Sequence, residues 1–481
     1  MEFIIYDIAI LICFAIFVSI FLYNRRENLK KEGLLLLYKS NWGIKVINLI
    51  GNKYKKTLKI FSYVSIAIGY VLMITMVYLF GKIILVYLFQ PEIVRAIKIP
   101  PIMPLIPYLP KVFNLTFLPP FYFIYWIIII AIIAIPHELM HGIYSAYNKI
   151  KIKSTGFGFF PYFFPVFLAA FVEPDEKKMF KKNKFSQLSI LSSGTFANIL
   201  TAVFFFFVMW GFFAIAYTPV GVIFDSYSYS IINLTGVPAI TINNITLENI
   251  SYDNILDLIN EDNLNEVNIY NYSFIAKKSL LEDSQSRAAF EKGKLLVFYD
   301  DAPAIRAGLT GAISEINGVK IDNREKLARE VLNKNPGEII LVKTYDGETY
   351  TDYNLTLEEN PAKKGVPWLG IGFVERKSSG VLGKVVNFMS AFKKPEVYYQ
   401  SDWVAGEFIY NLLWWILLIS ISVALVNMLP IGIFDGGRFF YLTILAITKS
   451  EKIAKKSFLY LTYLFLLLLA LIMFFWVYSF L

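Results

Sequence analysis

Two histidines, His137 and His141, are the only ones in the chain, and they stand four residues apart with Glu138 directly after the first. Positions four apart share a face of a helix. Both imidazoles can therefore reach one zinc ion about 2.0–2.1 Å away. Glu138 lies beside the place such an ion leaves open, where a carboxylate can take a proton from water whose pKa the zinc lowers toward about 7. Catalytic zinc usually has three protein ligands. No histidine remains, and the single cysteine, Cys13, excludes a cysteine-based site and an intrachain disulfide framework. The third ligand must then be a carboxylate, and the candidate is Asp435 in Asn427-Met-Leu-Pro-Ile-Gly-Ile-Phe-Asp-Gly-Gly-Arg438. Plainer readings compete with each assignment. The histidines and Glu138 can be interfacial residues with a snorkelling carboxylate, and Asp435 can simply cap the helix that follows it.

These residues must be positioned by elements that cross a membrane. The chain has 481 residues, 56% hydrophobic and only 17% charged, with a net charge of +9. The apolar excess sits in long runs, the pattern of spans and not of a soluble core. Six are expected, at about 3–23, 59–89, 121–144, 186–217, 404–429 and 456–480. The first is flanked by Glu2 and Asp7 and followed by no small-residue cleavage site, so it reads as a retained helix and not a signal peptide. Lysines and arginines gather after spans one, three and five, which places those segments on the cytoplasmic side. This clustering beside apolar runs argues against nucleic acid as a partner. The loop at 225–377 is acidic on balance and belongs on the other side. The N-x-[ST] sequons at Asn114, Asn233, Asn244, Asn249, Asn271 and Asn354 all fall on that outer side. His137 lies about 18 Å inside the boundary marked by Lys149, by helical rise. A carboxylate at that depth costs at least about 2.5 kcal/mol unless a partner or water meets it. Pro430, Gly432, Gly436 and Gly437 break span five, and irregular backbone at such depth must line protein or water.

An H-E-x-x-H inside one span and N-x-x-P-x-G-x-x-D-G-G in a later one resemble the site-2 protease family of intramembrane zinc metalloproteases. The resemblance implies a polytopic α-helical membrane protein with zinc on His137, His141 and Asp435, and Glu138 as general base. It also implies a small-residue motif ending in asparagine, here Ser193-Gly-Thr-Phe-Ala-Asn198, with Thr195 where proline is usual. Asn198 is then a catalytic candidate that holds the substrate carbonyl or the oxyanion; a polar helix–helix contact is the equal alternative. The stretch 156–176, rich in glycine, proline and aromatic residues, resembles the family's re-entrant strand segment, which offers backbone groups to an extended peptide; an interfacial loop with an aromatic belt is the other reading. The resemblance covers about 120–217, 404–440 and, more loosely, the outer domain.

Within the outer loop, 290–375 resembles a PDZ domain, an inserted α+β module, although Ala312 replaces the usual aspartate. An earlier stretch, 219–289, reads as a degenerate second copy or as an insertion in a single domain, with Asn243-Asn244 matching the Asn317-Gly318 turn. The expected organisation is thus an N-terminal span pair with its loops (1–118), a first half of the protease core (119–217), the extracytoplasmic region (218–400) and a second core half with the last span (401–481). The expected activity is that of a zinc metalloendopeptidase in a prokaryotic cell membrane, acting on transmembrane protein substrates from a site nearer the cytoplasmic face. A non-catalytic receptor or scaffold with a structural metal is the alternative. A transporter is disfavoured, because the intramembrane polar residues cluster at one point.

Overall fold

A computed structural model describes residues 3–32, 35–97, 100, 103–115, 117–159, 168–261, 264–282, 284–374, 383, 387–388 and 391–479. The chain divides into two units, Met1–Phe212 with Glu407–Leu481, and Phe213–Gly406. Among the described residues six helices are long and apolar enough to cross a membrane: Phe3–Asn24, Lys55–Phe89, Phe123–Tyr147, Lys184–Ala216, Gly406–Asn427 and Glu451–Tyr478. They are numbered here as spans one to six. The second is longer than its apolar run and carries on through Lys55, Lys56 and Lys59.

Span one buries only Asp7 and Val18, while Ile5, Phe17 and Ile20 lie exposed along it. Such a surface suits lipid, where apolar side chains need no cover. Asp7 is fully buried. Its carboxylate accepts the backbone N–H groups of Phe123 at 2.6 Å and Ile124 at 3.0 Å, and the hydroxyl of Tyr108. Phe123 and Ile124 open span three, whose own N-cap residue, Tyr122, makes no side-chain cap. The first N–H groups of a helix have no partner within it, so an acid from one span caps another.

Span two packs on span four through small residues. Ser192 Oγ donates to Ser65 Oγ at 3.2 Å, and a Cβ on Gly69 would lie 3.1 Å from Ser192 Cβ. In lipid such close approach supplies much of helix association. Span two also meets the helix Asp435–Thr448: Tyr70 Oη and Thr443 Oγ1 are 2.9 Å apart, and the rings of Tyr70 and Phe439 lie edge to face at 4.8 Å. One apolar core joins these parts through Ile143, Tyr144, Ile190, Met428, Phe439 and Leu442.

Four antiparallel strands complete this unit in the order β1 (Leu29–Glu32), β2 (Leu35–Ser40), β3 (Ile152–Phe159) and β4 (Leu168–Pro174). Much of the stretch 156–176 is therefore extended, while 160–167 lie outside the described residues. β3 is paired on both sides, and among the described residues β4 pairs with no second strand. The first two strands come from a lysine-marked segment in which sequence patterning shows no strand.

The unit Phe213–Gly406 contains two six-stranded sheets. Hairpins turn at Asn243-Asn244 and at Asn317-Gly318, all four residues at positive φ, as a tight primed turn requires. Another hairpin pairs Ile339–Tyr345 with Tyr350–Thr356 around Asp346-Gly347. The strands do not keep to the expected halves 219–289 and 290–375. Tyr217–Val222 pairs with Ala312–Ile316 and Val397–Ser401, in the sheet of the later half. Leu295–Asp300 pairs with Tyr229–Asn233 and Tyr272–Ala276, in the sheet of the earlier half. Sheet membership follows from hydrogen-bond partners far apart in sequence, which linear patterning cannot assign.

Candidate metal centre

Span three carries His137 and His141 on one face, directly after Pro136. Proline has no N–H to give the carbonyl four residues back, so the helix loses one bond just before the first ligand. His141 Nδ1 lies 2.7 Å from the carbonyl of Ile190 in span four. A carbonyl only accepts, so Nδ1 carries the proton and donates, leaving the Nε2 lone pair available. Metal-binding histidines are held in this way.

Asp435 opens the helix Asp435–Thr448. The N-cap position is Phe434, with no side-chain cap, so the carboxylate does not serve the capping role that competed for it. It turns to the imidazoles instead. Asp435 Oδ2 is 3.2 Å from His141 Nε2 and 3.6 Å from His137 Nε2, and the two Nε2 atoms are 3.1 Å apart. Two ligand atoms about 2.05 Å from a tetrahedral ion sit roughly 3.3 Å from each other. The three atoms thus form a triangle of the size that three ligands of one such ion present. Glycines make the approach possible. A Cβ on Gly194 would lie 2.3 Å from His141 Nε2 and 2.6 Å from His137 Nε2, and one on Gly436 would lie 2.4 Å from the carbonyl of Met428. His137, His141 and Asp435 are a group able to hold a metal ion, and two imidazoles with one carboxylate are a donor set that suits zinc.

A model of peptidase family M50 matches residues 125–471. The chain belongs to peptidase family M50. Membership in this family, that of the site-2 proteases, implies an intramembrane metalloprotease. No curated protein matches the chain. The M50 match takes in all three candidate ligands, and also Glu138 and Asn198.

Glu138 does not join the ligand triangle by hydrogen bonds. Its Oε2 accepts the backbone N–H of Val172 in β4 at 3.0 Å. Asn198 is fully buried, with its amide 3.1 Å from His137 Nδ1, the ring nitrogen other than the one in the triangle. The amide nitrogen faces the ring, and among the described residues the buried Oδ1 has no hydrogen-bond partner. Turning the carboxamide over keeps its shape and lets Oδ1 accept from Nδ1–H. That orientation satisfies both groups and leaves His137 Nε2 free to bind a metal. Sequence reasoning missed Asp7, Val172, Gly194 as a spacer, and the Ile190 carbonyl. Two of these carried a signal: Asp7, as a lone acid inside an apolar run, and Gly194, within the motif Ser193–Asn198.

Proposed function

We propose that this chain is an intramembrane zinc metalloprotease that cleaves transmembrane helices of other membrane proteins. The triangle of His137 Nε2, His141 Nε2 and Asp435 Oδ2, with sides of 3.1 to 3.6 Å, carries the proposal. These three residues would hold the zinc. Bound there, zinc would polarise a carbonyl and lower the pKa of water.

The chain's own residues do the rest. Glu138 takes a proton from the attacking water and returns it to the leaving amine nitrogen, work worth about 10²- to 10⁴-fold in rate. The Val172 N–H bond to Oε2 fixes the carboxylate and leaves its other oxygen to act. Asn198 keeps His137 in the tautomer that presents Nε2. This positioning role is better supported than an oxyanion contact, because Asn198 lies against His137 Nδ1 and is fully buried. An unwound stretch of substrate pairs with the open edge of β4, where backbone groups take the place of those lost when its helix opens. The sheet-rich unit acts as a PDZ-like docking or size-filtering module outside the cytoplasm, with the metal centre nearer the cytoplasmic face.

The test is cleavage of a transmembrane substrate by the reconstituted chain with metal content measured in parallel. Glu138→Gln should abolish cleavage and keep one zinc per chain. Asp435→Ala should lose both. A fully active Glu138→Gln variant would end the proposal.

A further inference from the structure

A cavity of about 390 Å³ opens beside Glu138, on the side of span three that meets the four-stranded sheet. Its walls come from separate elements: Phe21 of span one, Tyr38 of β2, Glu138 and Leu139 of span three, and Ala170 and Phe171 of β4. Apart from Glu138 the lining is mostly apolar and aromatic. None of the three candidate metal ligands lines it, so it is a separate space reached from the general base.

Among the described residues the strand along one wall pairs with no strand on its outer edge. Val172 gives its N–H to Glu138 and not to β3. Alternate residues of a strand turn their backbone groups to the same side, so Ala170 presents its N–H and C=O to that edge as well. A peptide paired there runs past Glu138 and along the cavity wall.

We propose that this cavity is a specificity subsite that receives one bulky apolar side chain, aromatic or long aliphatic, from a substrate residue flanking the cleaved bond. The inference rests on the protease reading above. The space is ample for one such side chain; among the described residues lining it there is no cation and no side-chain amide to meet a charged one, and Glu138 in the wall repels an acidic one. A lipid acyl chain is the other apolar occupant to consider. It is a poorer match, because it gives nothing to the backbone groups of Ala170 or to the Glu138 carboxylate, whereas a peptide brings a carbonyl for the Ala170 N–H and N–H donors for the Ala170 carbonyl and the carboxylate.

The experiment uses the full chain in nanodiscs, loaded with zinc, and one transmembrane substrate carrying Phe, Leu, Ala or Asp at each position flanking the cleaved bond. At one position Phe and Leu should exceed Ala by about 10- to 100-fold in kcat/KM, with Asp lowest. Ala170→Leu, which fills the cavity, should move the preference at that same position toward Ala. Phe171→Ala, which widens it, should admit Trp. A flat profile, the result expected if lipid fills the space, overturns the proposal. So does an Ala170→Leu variant that slows every substrate equally. Binding of the same fluorescent substrates to zinc-loaded Glu138→Gln separates the two readings. Ranked binding without cleavage by the parent chain would sink the protease assignment and leave the subsite standing. Cleavage without ranking would do the reverse.

Discussion

Asp7 in span one closes the N-terminus of span three by accepting the N–H groups of Phe123 and Ile124. The pair ties a span outside the M50-matched region to the helix that carries both histidines. Span two does the corresponding work for the other ligand through Tyr70, which meets Thr443 and Phe439 on the Asp435 helix. The first two spans thus each brace one helix that carries a candidate ligand.

Removing the Asp7 carboxylate leaves buried N–H groups without an acceptor, which costs about 1–3 kcal/mol. Asp7→Ala should lower the midpoint of thermal unfolding in detergent. Asp7→Asn, which keeps one acceptor oxygen, should lose less. Equal midpoints for all three chains would show that the cap adds nothing.

Gly194→Ala separates site from fold. Alanine is the better helix former, yet its Cβ would enter the space 2.3 Å from His141 Nε2. The variant should fold and express normally and hold no metal, as read by elemental analysis of the purified protein. Stoichiometric zinc in it would refute the close-approach argument.

Asn198→Ala should weaken zinc binding about 10- to 100-fold, the usual loss when the partner of a metal-bound histidine goes. Asn198→Asp, whose oxygens can accept from His137 Nδ1–H, should keep most of the affinity. A competitive chelator titration reads both. If Asn198 instead served the oxyanion, Ala would leave affinity unchanged and lower only turnover.

Val172→Pro deletes one N–H on an edge strand, a place where proline is tolerated. It should lower kcat by about 10-fold through a poorly placed Glu138, with zinc content unaltered. An unchanged kcat would show that the N–H bond does not position the base.

The sheet should respond to acid. Glu173 in β4 accepts from Lys39 Nζ at 2.8 Å and Ser154 Oγ at 2.6 Å, and these bonds, the lysine's first, hold its carboxyl below the usual glutamate range. A depressed folded-state value means stability that is present above the unfolded glutamate's pKa and lost as pH falls through the folded one. The protection factors of the β2 to β4 amides, exchange rates taken relative to the intrinsic rate at each pH, should therefore fall as pH drops below the ordinary glutamate range. Lys39→Ala should weaken that dependence.

Much of this design is written locally. Long apolar runs show as spans, and the spacing of His137, Glu138 and His141 shows as a metal motif, because both are properties of a single helix. Pro430, Gly432 and the Gly436-Gly437 pair mark broken backbone around Asp435 for the same reason. What stayed hidden depends on partners far along the chain. Asp7 is conspicuous in an apolar run, but its acceptance of the Phe123 N–H is not. Residues 29–32 and 35–40 read as a basic connector, since they become strands by pairing with each other and, through β2, with β3. The residues of Asn198's motif point to the metal, yet which ring nitrogen of His137 it meets is a matter of helix packing.

The candidate ligands are also far apart in the order of synthesis. His137 and His141 enter the membrane with span three, and the whole unit Phe213–Gly406 must then be made before Asp435 appears. At about 5–20 residues per second that interval lasts tens of seconds or less. Throughout it the nascent chain holds Glu138 and two imidazoles without the third candidate ligand. On the proposed reading, a chain made in this order gains its full ligand set only once Asp435 has entered, so the translocation machinery and neighbouring spans meet no complete metal site before then.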